Sequence, residues 1–278
     1  MRNKILSFIF MLAIAVPSQA QTPDKLLTIK GGKFDLGFAW DKYQDMDMEW
    51  MKQRTDQSGA FNEDLSGMEG GQVIYSSFGA NVGCQVLFTA PRLGNDLLIS
   101  EVRFGVAMIL GKEAIVDFYD NNPTTQTNRD YNSLMYCFVE NETRLSSEIV
   151  WRVLDESKIT FYAGLGANLS ASLANELYVF SDFMNNRSVT GNNFQPMDFN
   201  SVQDTYDGKS VFYQRLYVPV GIDIKMFRHL QGTVEYKIGG GMEKVIGGQT
   251  NTFRTGEFNF GLRVNIEMNN TPSILDLF

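Results

Sequence analysis

Residues 257–268 read EFNFGLRVNIEM. Phe258, Phe260, Leu262, Val264, Ile266 and Met268 alternate without a break with Glu257, Asn259, Gly261, Arg263, Asn265 and Glu267. A helix would scatter these apolar side chains around its circumference, whereas a strand puts them all on one face. The stretch therefore predicts an extended segment with one apolar and one polar, partly charged face.

The same rule recurs along the chain. Lys33 to Asp41 aligns Phe34, Leu36, Phe38 and Trp40, and Ile74 to Phe88 aligns Phe78, Ala80, Val82, Cys84, Val86 and Phe88. Leu98 to Leu110, Glu140 to Val153, Ile159 to Leu173 and Phe212 to Met226 behave alike. Thr233 to Met242 starts the pattern with Val234, Tyr236 and Ile238, then runs into Gly239-Gly240-Gly241, read as a kink or turn at a rim, as are Gly247-Gly248. Each core is near the 9–11 residues that a tilted strand needs to cross a bilayer.

Connections sort into two kinds. Tight turns are expected at Pro91–Asn95, Asp155–Lys158 and Phe227–Leu230, and longer polar stretches around 42–72, 112–139, 174–210 and 243–253. Long and short thus alternate, as in outer-membrane barrels with long extracellular loops and short periplasmic turns. A soluble sandwich has no reason to sort its loops by side. Lys112 to Phe118 and Met135 to Val139 keep the alternation of their neighbours, so this pair of strands is expected to project as a hairpin.

The first residues carry a different signal. Arg2 and Lys4 precede an uncharged apolar run, Ile5 to Val16, and Ser18-Gln19-Ala20 supplies small residues for cleavage. Residues 1–20 are read as a signal peptide. The run is too short for a stable helical span, and no second long apolar stretch follows. Mean hydropathy is slightly negative. Aromatic residues make up 13% of the chain, which suits strands that hide apolar side chains by alternation. A net charge of −8 argues against nucleic acid as a partner. Two cysteines, Cys84 and Cys137, are too few for a disulfide framework.

The leader together with eight alternating strands resembles the small eight-stranded outer-membrane β-barrel superfamily, the OmpA/OmpX-type and related porin-like barrels of Gram-negative bacteria. The resemblance implies an all-β, closed, antiparallel up-and-down transmembrane barrel. It also implies outer-membrane lipid around the barrel and the outer-membrane assembly machinery as a partner during biogenesis. Members usually end their last strand at a C-terminal Phe. Here Phe278 is terminal, but the alternation stops at Met268 and Asn269-Asn270-Thr271-Pro272 intervenes. Residues 21–268 are accordingly read as the barrel and 269–278 as a periplasmic tail.

The polar strand faces would line the interior. Glu101, Arg103, Arg152, Arg215, Asp223, Lys225, Glu235, Lys237 and Arg263 form the expected lumen charge network. A turn centred on His229 would set Asp223 opposite Glu235, and Gln85 is expected to face Glu101. Eight strands leave an interior only wide enough for side chains, so these charges must pair to offset desolvation. No catalytic, cofactor or metal site is expected. The single histidine, His229, falls in a short turn, so no His-activated nucleophile stands at the outer rim. Asp45-x-Asp47-x-Glu49 lacks the glycine of a calcium loop and reads as solvated loop. Trp40, Phe88, Trp151, Phe161, Phe258 and Tyr236 read as interfacial girdles near strand ends.

Three functions follow. Extracellular loops could bind a protein partner or a surface, since loops on a rigid scaffold carry recognition. The charged lumen could conduct small solutes, although eight strands argue against a wide pore. A lipid-modifying enzyme is disfavoured by the missing rim histidine.

Overall fold

The computed structural model describes residues 28–43, 47–62, 65–73, 77–89, 99–119, 133–155, 158–181 and 202–266. The leader 1–20, the turn at 91–95 and the tail 269–278 lie outside these residues. The strands are β1 (Thr28–Tyr43), β2 (Glu69–Val73), β3 (Ser77–Thr89), β4 (Ile99–Tyr119), β5 (Ser133–Asp155), β6 (Ile159–Ser181), β7 (Val202–Gly208), β8 (Val211–Lys225), β9 (Leu230–Val245) and β10 (Thr250–Asn265). A short helix, α1 (Met48–Lys52), and a 3-10 turn at Ser58–Phe61 follow β1.

Eight strands close a ring in the order β1-β3-β4-β5-β6-β8-β9-β10, and β10 pairs back onto β1 from Gly31↔Asn265 to Tyr43↔Phe253. Every pairing is antiparallel. Closure gives each of these strands a hydrogen-bonding neighbour on both sides, so the ring has no free edge. β2 and β7 sit outside it, extending β4 and β6 at one end only.

The alternation read from sequence is physically sorted. Leu36, Leu169, Leu216 and Phe260 are 51%, 61%, 72% and 54% exposed on the outside, while Asp41, Arg103, Glu142 and Glu235 are buried inside. Apolar side chains face out on every ring strand. A belt of that extent would be costly in water and is what a lipid environment solvates.

Strand lengths are unequal. β4, β5 and β6 run 21, 23 and 23 residues, against 13 to 16 for the other ring strands. The three adjacent long strands, with β2 and β7, stand beyond the belt as a sheet. The expected hairpin is therefore present, but its alternation changes phase. Gly111, at φ 60°, sits in a β-bulge between Ile109 and Lys112. Below the bulge, Glu101 and Arg103 point inward; above it, Lys112, Ala114, Val116 and Phe118 do. β6 shifts in the same way against Asn141 and Glu142.

Two other expectations are corrected. The stretch 243–253 is no long loop: β9 and β10 continue to Val245 and from Thr250, joined by four residues with Gly247 at φ 75°. The strict alternation of long and short connections fails there. Gly239-Gly240-Gly241 makes no kink either, and stays in ladder with Arg215 to Tyr217 and Phe253 to Thr255. A Cβ on Gly239 would stand 2.0 Å from the Leu216 carbonyl oxygen, so close approach of β8 is what excludes a side chain there.

Candidate functional site

The interior has two storeys. In the lower one, charged side chains from opposite walls meet. Arg263 donates to Glu101 at 2.5 Å and to Asp223 at 3.1 Å, and Arg103 donates to Glu101 at 2.7 Å and to Glu235 at 2.8 Å. Glu235 also accepts from the Tyr162 hydroxyl at 2.7 Å and lies 3.2 Å from Lys33. Lys237 bridges Glu148 at 3.1 Å and Glu257 at 3.3 Å. Higher up, Arg215 spans Asp41 at 2.7 Å and Glu142 at 2.6 Å, while Lys112 joins Asp41 at 2.8 Å and Glu140 at 2.7 Å. Each of these cations meets more than one carboxylate, as buried charges must.

Of the residues singled out from sequence, Glu101, Arg103, Arg215, Asp223, Glu235, Lys237 and Arg263 are brought together in this web. Arg152 touches its edge, 3.8 Å from Asp223. Lys225 is exposed at the short-turn end and takes no part. The expected pairings differ by two residues. Met226 and Phe227 both donate to the Leu230 carbonyl, which centres the turn on Arg228 rather than His229. Asp223 thus faces Thr233, and Glu235 faces Gly221. Gln85 faces Gly105 and donates to Glu148 at 3.2 Å, not to Glu101. His229 sits in that turn, where its carbonyl accepts from Asn265.

Lys33, Asp35, Asp41, Glu142, Arg144, Glu148 and Glu257 were missed, although each alternates with the apolar residues already noted on its strand. Arg54, Lys112 and Glu243 had weaker signals. Lys112 lies past the Gly111 bulge, and Arg54 belongs to no strand.

The upper storey is apolar. Trp50 and Met51 of α1 and Ala60 of the following turn pack between Tyr43, Phe138, Val211, Tyr213, Val245 and Phe253 of the barrel wall. Residues 47–62 therefore fold into the barrel mouth. Asp47, expected in a solvated loop, caps α1 by accepting from the Trp50 amide at 2.9 Å. Arg54 pins the plug: it donates to Glu243 at 2.5 Å and lies 3.7 Å over the Trp50 ring. Burial works most strongly against its charge, but Glu243, Tyr213, Tyr43 and Glu140 together outweigh it and hold the guanidinium above its ordinary range. Thr55 donates to the Asp207 carbonyl at 2.9 Å, and the Lys209 amide to that of Arg54 at 2.6 Å, tying the plug to β7.

The aromatics divide. Phe88, Trp151 and Phe161 lie toward the short-turn end, and Trp40 packs 5.9 Å from Tyr236. Phe258 is mid-strand, paired with Tyr236 and Phe38. Among the described residues, no group of three or more His, Cys, Asp and Glu is placed to hold a metal ion.

No family model and no curated protein matches the chain. Among solved structures it is similar to Neisserial surface protein A, at 13% identity and a TM-score of 0.36, over 86% of this chain and 99% of that one. It is also similar to Ail, the attachment invasion locus protein of Yersinia pestis, at 9% and 0.33, over 85% and 99%. A third is a major outer membrane protein from Thermus thermophilus, at 9% and 0.34, over 84% and 99%. By its own strand ring, the chain is an all-β, closed, antiparallel up-and-down barrel of eight strands.

Proposed function

We propose that this chain is an integral outer-membrane barrel of a Gram-negative bacterium, without enzymatic activity, that displays its projecting sheet to a protein partner or a surface. In this reading residues 1–20 are a signal peptide, the assembly machinery inserts residues 21–268, and the short turns and the tail 269–278 face the periplasm. The observation that carries the reading is the filled interior beneath an overbuilt exterior. Cross-lumen ion pairs occupy the lower storey and the α1 plug the upper, while β4, β5 and β6 extend well past the length that a bilayer requires. Loops and edges held out by a rigid scaffold are where recognition is usually placed. On the outer face of the sheet, Tyr178 and Phe180 stack at 6.3 Å, a contact surface of the kind partners use.

The charged lumen favours a second reading, a conduit for small solutes. Planar-bilayer recordings of the full chain separate the two. Silence over a wide voltage range is expected, and steady ohmic steps would replace the display reading with the conduit. Cross-linked partners recovered from intact cells should diminish once external protease has clipped the long loops. Equal recovery would sink the display reading.

A further inference from the structure

One patch of the outward face stands apart from the belt. On three adjacent ring strands, the first outward residue beyond the apolar column is a cation: Lys42 past Trp40 on β1, Arg254 past Gly256 on β10, and Lys244 past Met242 on β9. All three are exposed, in a chain whose net charge is −8. Lys42 and Arg254 stand directly opposite each other. Like charges in that position repel, and among the described residues neither has an acidic partner. Lys244 donates only to the Gly248 carbonyl, at 2.8 Å.

Arg254 lies next to a cleft. On its far side Arg254 is paired with Gly240, which lines an outward cleft of about 750 Å³. Leu145, Leu169, Gln214 and Met242, in register across β5, β6, β8 and β9, line it together with Leu216. An anionic group beside an apolar slot at the edge of a lipid belt describes one molecule, a lipid with a phosphorylated headgroup.

We propose that this rim binds one lipid bearing a phosphate monoester. Its phosphate sits on Lys42 and Arg254, and an acyl chain lies in the cleft. An anion between Lys42 and Arg254 removes their repulsion and gains charge-assisted hydrogen bonds. The inference rests on the membrane reading above.

Native mass spectrometry of the full chain in detergent, with phosphatidic acid and phosphatidylcholine of identical chains as probes, tests it. The wild type should retain one phosphatidic acid in preference to phosphatidylcholine. K42Q/R254Q should lower that preference roughly tenfold. R254Q alone should lower it about threefold, and remains informative should the double variant fail to fold. Lys225→Gln, at the opposite end, should change nothing. Equal retention of both lipids by the wild type, or an unchanged preference in both rim variants, overturns the proposal. So does complete displacement of phosphatidic acid by inorganic phosphate at equal concentration, since the cleft would then contribute nothing. Flotation with phosphatidylcholine vesicles separates the two readings. A chain that floats but shows no headgroup preference loses only this site, and one that does not float loses the membrane reading and the site with it.

Discussion

Arg103 and Glu235 stand 132 residues apart in sequence, on strands that are not neighbours in the ring, and meet at 2.8 Å across the barrel interior. The contact ties opposite walls together, so its loss is felt by both. Glu235 also serves Lys33 and Lys237. Glu235→Gln preserves shape but leaves three buried cations short of one charge. We expect a loss of about 3 kcal/mol, at the lower end for breaking a buried pair from one side. Urea unfolding in lipid vesicles, followed by tryptophan fluorescence, measures it. Combining it with Arg103→Met should cost less than the sum of the single changes, because the two side chains share an interaction.

Arg54→Ala should free the plug without opening the barrel. The substitution removes the bond to Glu243 and the stacking on Trp50, while the ion pairs below stay in place. Trypsin should then cut after Lys52 in folded protein, where the wild type resists. Bilayer recordings should remain silent. A variant that resists trypsin as the wild type does would show that α1 is held by its apolar contacts alone.

Cys137 gives a pH dependence with a definite sign. Burial, with Glu113 adding to it, pushes its thiol up to about 12 from an ordinary 9.0. The reactive species is the thiolate, so in a Cys84→Ser background maleimide labelling of folded protein should be negligible at neutral pH. The raised value also contributes stability that is intact below pH 9.0 and lost as pH rises through about 12. Cys137→Ala should flatten that alkaline decline.

Gly166 makes room for an aromatic ring. A Cβ there would stand 2.4 Å from the Tyr217 ring, whose hydroxyl donates to Glu148 at 3.0 Å. Gly166→Leu should displace Tyr217 and cost about 1–3 kcal/mol through overpacking, read in the same urea assay. Pairing it with Tyr217→Ala should restore part of the loss.

Every ring strand was legible in the sequence, because an apolar outer face and a polar interior impose period two on each of them. Glu257 to Met268 shows this best, although the strand proper ends at Asn265. Residues 47–62 were not legible. Trp50, Met51, Arg54 and Ala60 are buried at irregular spacing, and a five-residue helix cannot display a helical period. Long-range pairings were partly legible: alternation says which side chains point inward, but only turn geometry fixes register. Taking His229 instead of Arg228 as the turn centre moved every β8–β9 partner by two. The missed lumen acids and bases were within reach, since Asp35 and Glu257 alternate with Leu36 and Phe258 in the segments that were read.

The bulge at Gly111 acts as a phase inverter. Were β4 to pass that point as a regular strand with every residue kept, it would slip by one against β5 and turn inside out above it. Glu113 and Asp117 would be thrust among the plug's aromatic rings, and Val116 and Phe118 cast outward. No side chain need be altered for the mouth to lose its apolar filling. For this strand, the number of residues between two anchor points carries as much information as their identity: losing Gly111 itself would only straighten β4, with Lys112, Val116 and Phe118 still facing inward.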